Sequence, residues 1–85
     1  MGYNMIDFFD KVAIELRNKN FSKNYRWIFS EYNIFRSKLR PSVSLEEFFE
    51  EMKLLCDRGI FIEADSYTRF PDYILTEQGE YLIYK

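Results

Sequence analysis

Apolar residues recur at helical spacing in three successive stretches, after which the period drops from 3.6 to 2 and returns to helical only at the end. The spacing predicts a first helix over 5–18, where Met5, Phe8, Phe9, Val12 and Leu16 share one face. Asn4 can cap it, with Asp7 three residues on at the positive end of the helix dipole. Asn18-Lys19-Asn20 then supplies a turn. Ser22 can cap a second helix, predicted over 22–40 and stopped by Pro41, because the residue before proline disfavours helical geometry. Tyr25, Ile28, Phe29, Tyr32, Phe35 and Leu39 form its apolar stripe, and Lys23, Arg26, Ser30, Asn33, Ser37 and Arg40 its opposite face. Trp27, Glu31, Ile34 and Lys38 run along one flank, so Trp27 and Ile34 fall off the stripe; the pair is either exposed or covered by a core that reaches around.

The third helix, 44–58, carries the clearest signals. Ser44 and Glu47 have capping-box spacing. Leu45, Phe48, Phe49, Met52, Leu55 and Cys56 make one buried face, and Gly59 stands where a left-handed residue ends a helix. Its outward positions are mostly acidic: Glu46, Glu47, Glu50, Glu51 and Asp57, against Lys53 and Arg58. Ile60, Ile62 and Ala64 then alternate with Phe61, Glu63 and Asp65, a strand expected to bury one face. A loop over 66–71 leads to a second strand at Tyr73-Ile74-Leu75, and Thr76 can cap a short last helix holding Tyr81, Leu82 and Tyr84. The expectation is one domain over 1–85, of α+β class: three helices, a two-stranded hairpin and a closing helix.

Composition restricts what such a domain can do. With 85 residues and 20% aromatics, the core must come from its 9 Phe, 7 Tyr and 1 Trp. A domain this small buries only about 60–65% of the surface its unfolded chain exposes. There is no His and one Cys, so the sequence holds no Cys/His zinc set, no Ser-His-Asp triad and no Cys-His dyad. A non-enzymatic, cofactor-free domain is expected. A single Cys56 cannot form an internal disulfide, which fits a reducing compartment, and it completes an apolar helical stripe. No apolar run reaches the roughly 18 residues a membrane span requires, and the first residues lack a signal-peptide pattern. A cytoplasmic location with no membrane contact is expected.

The formal net charge of -2 conceals a strong segmental asymmetry. Residues 1–16 set Lys11 against Asp7, Asp10 and Glu15; residues 17–40 carry seven cations against Glu31 alone; residues 41–85 carry ten acids against Lys53, Arg58, Arg69 and Lys85. A basic middle lies between two acidic flanks, which speaks to partners and association rates and not to fold.

From Ser44-Leu45-Glu46-Glu47-Phe48 through Leu55-Cys56-Asp57-Arg58-Gly59-Ile60-Phe61-Ile62, and again over Tyr73-Ile74-Leu75-Thr76-Glu77-Gln78-Gly79-Glu80-Tyr81-Leu82, the chain resembles the C-terminal half of winged helix-turn-helix domains. Domains of the MarR and PadR type, and small YjcQ-like proteins, run a helix into L-x-x-x-G-x-I, then a wing, then Y-x-L-T-x-x-G into a closing helix. The match spans 44–82. It implies a winged-helix fold in which the last helix before the wing enters the DNA major groove. This sequence departs from that pattern, because five outward acids on 44–58 would face phosphates spaced roughly 1.7 Å apart along the duplex axis.

Two functions from different classes follow as expectations. In the first, a nucleic-acid-binding regulator, open to dimerisation as a homodimer, uses the basic helix 22–40: Lys19, Lys23, Arg26, Lys38 and Arg40 would pair with phosphates and Trp27 or Tyr25 would stack on a base. In the second, a protein-interaction module or inhibitor of the kind small phage proteins provide uses the acidic face of 44–58, through Glu46, Glu47, Glu50 and Glu51, on a basic partner. Both are weighed against simple solvation, and the basic face could instead attract the acidic helix within the fold. The i, i+4 carboxylate pairs on one exposed face rarely suffice for a divalent cation.

Overall fold

The computed structural model describes residues 5–85, with side chains from residue 7 onward. In chain order the elements are α1 (Met5–Asn18), β1 (Arg26–Trp27), α2 (Phe29–Lys38), α3 (Leu45–Asp57), β2 (Phe61–Ala64), β3 (Asp72–Leu75) and α4 (Glu77–Tyr84). The three strands form one antiparallel sheet in the order β1-β3-β2. The α+β class is therefore as expected, with one more strand. The cap expected at Asn4 lies outside the described residues.

α1 has its predicted extent and buries Phe8, Val12, Ala13 and Leu16. Its end is a left-handed turn at Asn20 (φ 58), a conformation asparagine tolerates better than most residues.

The second helix is shorter than predicted. α2 begins at Phe29, not after Ser22, and its N-cap Ile28 offers no side-chain cap. Two things defeat the helix over 22–28. Asn24 is left-handed (φ 72), which no α-helix accommodates. The backbone N–H groups of Asn24 and Leu75 donate to Leu75 O at 2.7 Å and Tyr25 O at 3.0 Å, drawing the chain into the sheet. Arg26 then pairs with Ile74 and Trp27 with Tyr73. Tyr25 to Phe29 alternates in exposure as a strand does, with Trp27 buried between exposed Arg26 and Ile28. Tyr25 and Phe29, four residues apart, satisfy both this period-2 pattern and helical spacing.

α3 matches its prediction closely. Ser44 Oγ accepts from the Glu47 backbone N–H at 3.1 Å, and Glu47 Oε1 accepts from the Ser44 N–H at 2.9 Å, closing the capping box. Those bonds hold the Glu47 carboxyl below its ordinary range, the Ser44 backbone N–H contributing most. Gly59 is left-handed (φ 81), as expected. Ser44→Ala should cost about 1 kcal/mol, read from urea unfolding at pH 7. The Glu47 contribution favours the ionised form. It is therefore complete above the unfolded carboxyl's value and lost as pH falls through the lower folded value. On acidification past the ordinary glutamate range, wild type should lose more stability than Glu47→Gln; equal losses would mean the box is not formed.

β2 does not bury the alternating face expected of it. Phe61 is buried and Ile62 is 57% exposed, while Ile60 is buried just before the strand. Gly59 turns the chain so that Ile60 finishes the α3 cap, its N–H donating to Leu55 O at 3.0 Å. Register with β3 (Phe61↔Leu75, Ile62↔Ile74, Glu63↔Tyr73) then sets which face points inward.

The core is mainly aromatic. Phe48 lies at its centre, stacked on Tyr32 (5.3 Å between centroids) and edge-on to Phe8 (5.6 Å). Trp27 contacts Phe35 at 5.4 Å, Tyr32 at 5.9 Å and Phe61 at 6.0 Å. Phe70 of the β2–β3 loop stacks on Phe29 at 4.3 Å, and Tyr32 Oη donates to Pro71 O at 2.7 Å, so the loop is anchored to α2. α4 is tied to α1 by Arg17 Nη1 donating to Ile83 O (2.6 Å), and to the segment just after α1 by Tyr84 Oη donating to Phe21 O (2.7 Å).

Candidate binding surface

The six residues expected to contact nucleic acid do not share a helix face. Lys19 follows α1 and pairs with Glu15 at 3.4 Å. Lys23 is exposed in the loop before β1, where its backbone N–H donates to Glu80. Arg26 is on β1, and its Nη1 is 2.7 Å from Asp72 Oδ2 and 3.3 Å from Asp65 O. Trp27, expected on an outer flank, is 1% exposed. Lys38 is exposed in the last turn of α2. Arg40 Nη1 donates to the Ser37 and Leu39 carbonyls, satisfying the end of that helix.

Two of these placements correct the sequence reading. Trp27 cannot stack on a base without leaving the core, because β1 faces it inward between α2, α3 and β2. Arg26 is held against Asp72, a carboxylate only 6% exposed, and so closes the base of the hairpin. Burial beside Arg26 makes Asp72 structural. Lys19 and Lys38 sit at the ends of two different helices, so the basic middle of the sequence becomes a dispersed set. The ion pairs Lys19–Glu15 and Arg26–Asp72 both lie away from α3.

The four acids expected on the third helix do share a surface. Glu46 and Glu50 are exposed, and Glu47 and Glu51 are partly so. Partial burial raises the Glu51 carboxyl, and the neighbouring charges of Glu50 and Glu47 push it further the same way.

A cleft of about 390 Å³ lies where this face meets the hairpin. α3 contributes Glu46, Phe49, Glu50 and Lys53; the sheet side contributes Glu63, Pro71 and Tyr73. Glu63 and Tyr73 are cross-strand neighbours, so they arrive together. Burial, with Glu63 as a further cause, pushes the Tyr73 hydroxyl upward. Phe49, assigned to the core from its spacing, is only half-buried and serves as cleft wall. Its position at the margin of the buried stripe was the available signal; Glu63 and Tyr73 had none, since only strand pairing brings them to α3.

A larger groove of about 550 Å³ lies between β1 and the hairpin loop, lined by Arg26, Ile28, Asp65, Ser66, Tyr67 and Asp72. In it Arg26 pairs with Asp72 and also donates to the Asp65 main-chain carbonyl. Cys56 is half-buried, and burial raises its thiol to about 11, with Glu63 and Asp57 adding to the rise, so it is poorly ionised near neutrality. Among the described residues no group of three or more His, Cys, Asp or Glu is arranged to hold a metal ion, and no helix is long and apolar enough to cross a membrane. Comparison with known proteins finds no matching family, no matching curated sequence and no matching solved structure.

Proposed function

We propose that this chain is a non-catalytic binding module of winged-helix arrangement that engages a basic protein partner through the outer face of α3 and the adjoining hairpin. The element order supports the arrangement: helix, strand, helix, helix, hairpin, helix, with the early strand joining the hairpin in a three-stranded sheet. The resemblance over 44–82 points the same way.

One observation carries the choice of partner. Glu46, Glu50 and Glu63 surround the cleft between α3, which would be the recognition helix on this reading, and the hairpin. Each phosphate brought to this surface would meet carboxylates, whereas a cationic protein surface gains from them on approach. The basic residues that a phosphate-binding face needs are dispersed, and Arg26 is taken by Asp72. Absence of any His, with a weakly acidic thiol at Cys56, supports a binding role over catalysis.

The immobilised chain should retain a synthetic lysine- and arginine-rich peptide, with retention falling as salt is raised. Glu47→Lys with Glu51→Lys should weaken that retention about tenfold, since each removed attraction becomes a repulsion. Retention of a DNA duplex in place of the peptide at low ionic strength, weakened by Lys23→Glu with Lys38→Glu, would overturn the reading in favour of nucleic acid.

A further inference from the structure

Resting on that reading, we infer that the cleft between α3 and the hairpin is a seat for one arginine side chain of the partner. Its floor and its rim call for different parts of the same residue. Phe49 and Pro71, both half-buried, offer apolar and aromatic surface, against which a methylene stem loses water favourably, while buried Tyr73 closes the cleft beneath them. Glu46 and Glu50 are one turn apart on the helix side, and Glu63 stands on the sheet side. The carboxylates thus border the cleft from two elements, which suits a planar, forked donor better than a point charge.

Charge complementarity selects the occupant. No ion pair among the described residues compensates Glu46, Glu50 or Glu63, and Lys53, the single cation of the lining, is not paired with any of them. Three carboxylates against one ammonium leave the cleft negative. A guanidinium halves that excess, and the Phe49 ring adds a cation–π contribution that favours Arg over Lys. The volume fits: about 390 Å³ corresponds to roughly a dozen waters of liquid volume, too much for a bare ion and too little for a folded element.

The test is a titration of the full ¹⁵N-labelled chain with N-acetyl-arginine amide, followed by amide chemical shifts, with N-acetyl-lysine amide in parallel. Saturable shifts should cluster at Phe49, Glu50, Glu63 and Tyr73, with arginine binding several-fold tighter than lysine. Glu50→Gln with Glu63→Gln should weaken arginine binding about tenfold while amide dispersion elsewhere stays unchanged, which reports an intact fold. Non-saturating shifts spread over Glu47, Glu51, Glu77 and Glu80, or equal binding by that double variant, would overturn the seat. Glu47 and Glu51 lie outside the cleft lining. If the basic peptide still depends on them when arginine shows no cleft effect, the acidic-face reading stands and the seat alone is lost.

Discussion

Replacing Trp27 with alanine should remove about 3–5 kcal/mol of folding stability, the range for truncating a fully buried large aromatic. A chain of 85 residues has only about 4–13 kcal/mol in total, so the variant should be partly or wholly unfolded at 37 °C. Trp27 is 1% exposed and contacts Tyr32, Phe35, Phe48 and Phe61, with centroids 5.4 to 6.4 Å away. Each such aromatic pair adds about 0.5–1.5 kcal/mol beyond area burial, and these four rings come from α2, α3 and β2. One truncation therefore loosens the joint between both middle helices and the sheet. Trp27→Phe should recover much of the loss by refilling part of the volume. Urea unfolding followed by far-ultraviolet circular dichroism measures it, since Trp27 is the chain's single indole and its fluorescence disappears with the substitution. A Trp27→Ala variant with an unchanged urea midpoint would place the indole outside the core and return it to the set of candidate contact residues.

Trp27 also shows where sequence reasoning reached its limit. Elements whose signals are local were legible to the residue: the capping box at Ser44 and Glu47, the left-handed Gly59, the Thr76 cap of α4, and the extent of α1. Each depends on groups within a few positions of one another. β1 depends on β3, almost fifty residues later in the chain, and its two residues carry no pattern that separates them from a helical stripe. The helix predicted over 22–40 absorbed them. The alternation expected of β2 failed for a related reason: pairing with β3 and the path out of Gly59, not the local pattern, decide that Ile60 and Phe61 are covered while Ile62 and Glu63 are exposed.

The candidate surface divides in the same way. The acids of α3 were legible because one helix presents them at fixed spacing. The basic set was not, because its coherence assumed a helix that the sheet interrupts at Asn24. The cleft required three elements and a register, Glu63 opposite Tyr73, that no single stretch encodes. Negative charge in the sequence thus predicted a surface, and positive charge predicted one that tertiary structure dispersed.

Gly79→Ala should be strongly destabilising, by about 3 kcal/mol or more, although helix propensity alone favours alanine by about 1 kcal/mol. Gly79 is the third residue of α4, and its N–H donates to Thr76 Oγ1 at 2.9 Å. A Cβ there would lie 2.3 Å from Ile60 O and 2.8 Å from Leu75 Cδ1. The first contact is with backbone, and that carbonyl already accepts from the Thr76 N–H at 3.1 Å and from its hydroxyl. Neither side can give way without breaking the link between the start of β2 and the cap of α4. Packing therefore overrides propensity. Gly59→Ala is the instructive contrast. Gly59 has the conformation that favours glycine (φ +81), yet its added Cβ would meet Gln78 Oε1 at an ordinary 3.5 Å. That variant should lose only the left-handed penalty of about 1–2 kcal/mol. Trp27 fluorescence during urea unfolding measures both. The expected order, Gly79→Ala worse than Gly59→Ala, reverses what the sequence suggests, where Gly59 is the glycine with an evident role. The opposite order would mean that α4 is not seated on Ile60, and the closing helix would then be held mainly by Arg17 and Tyr84 at its far end.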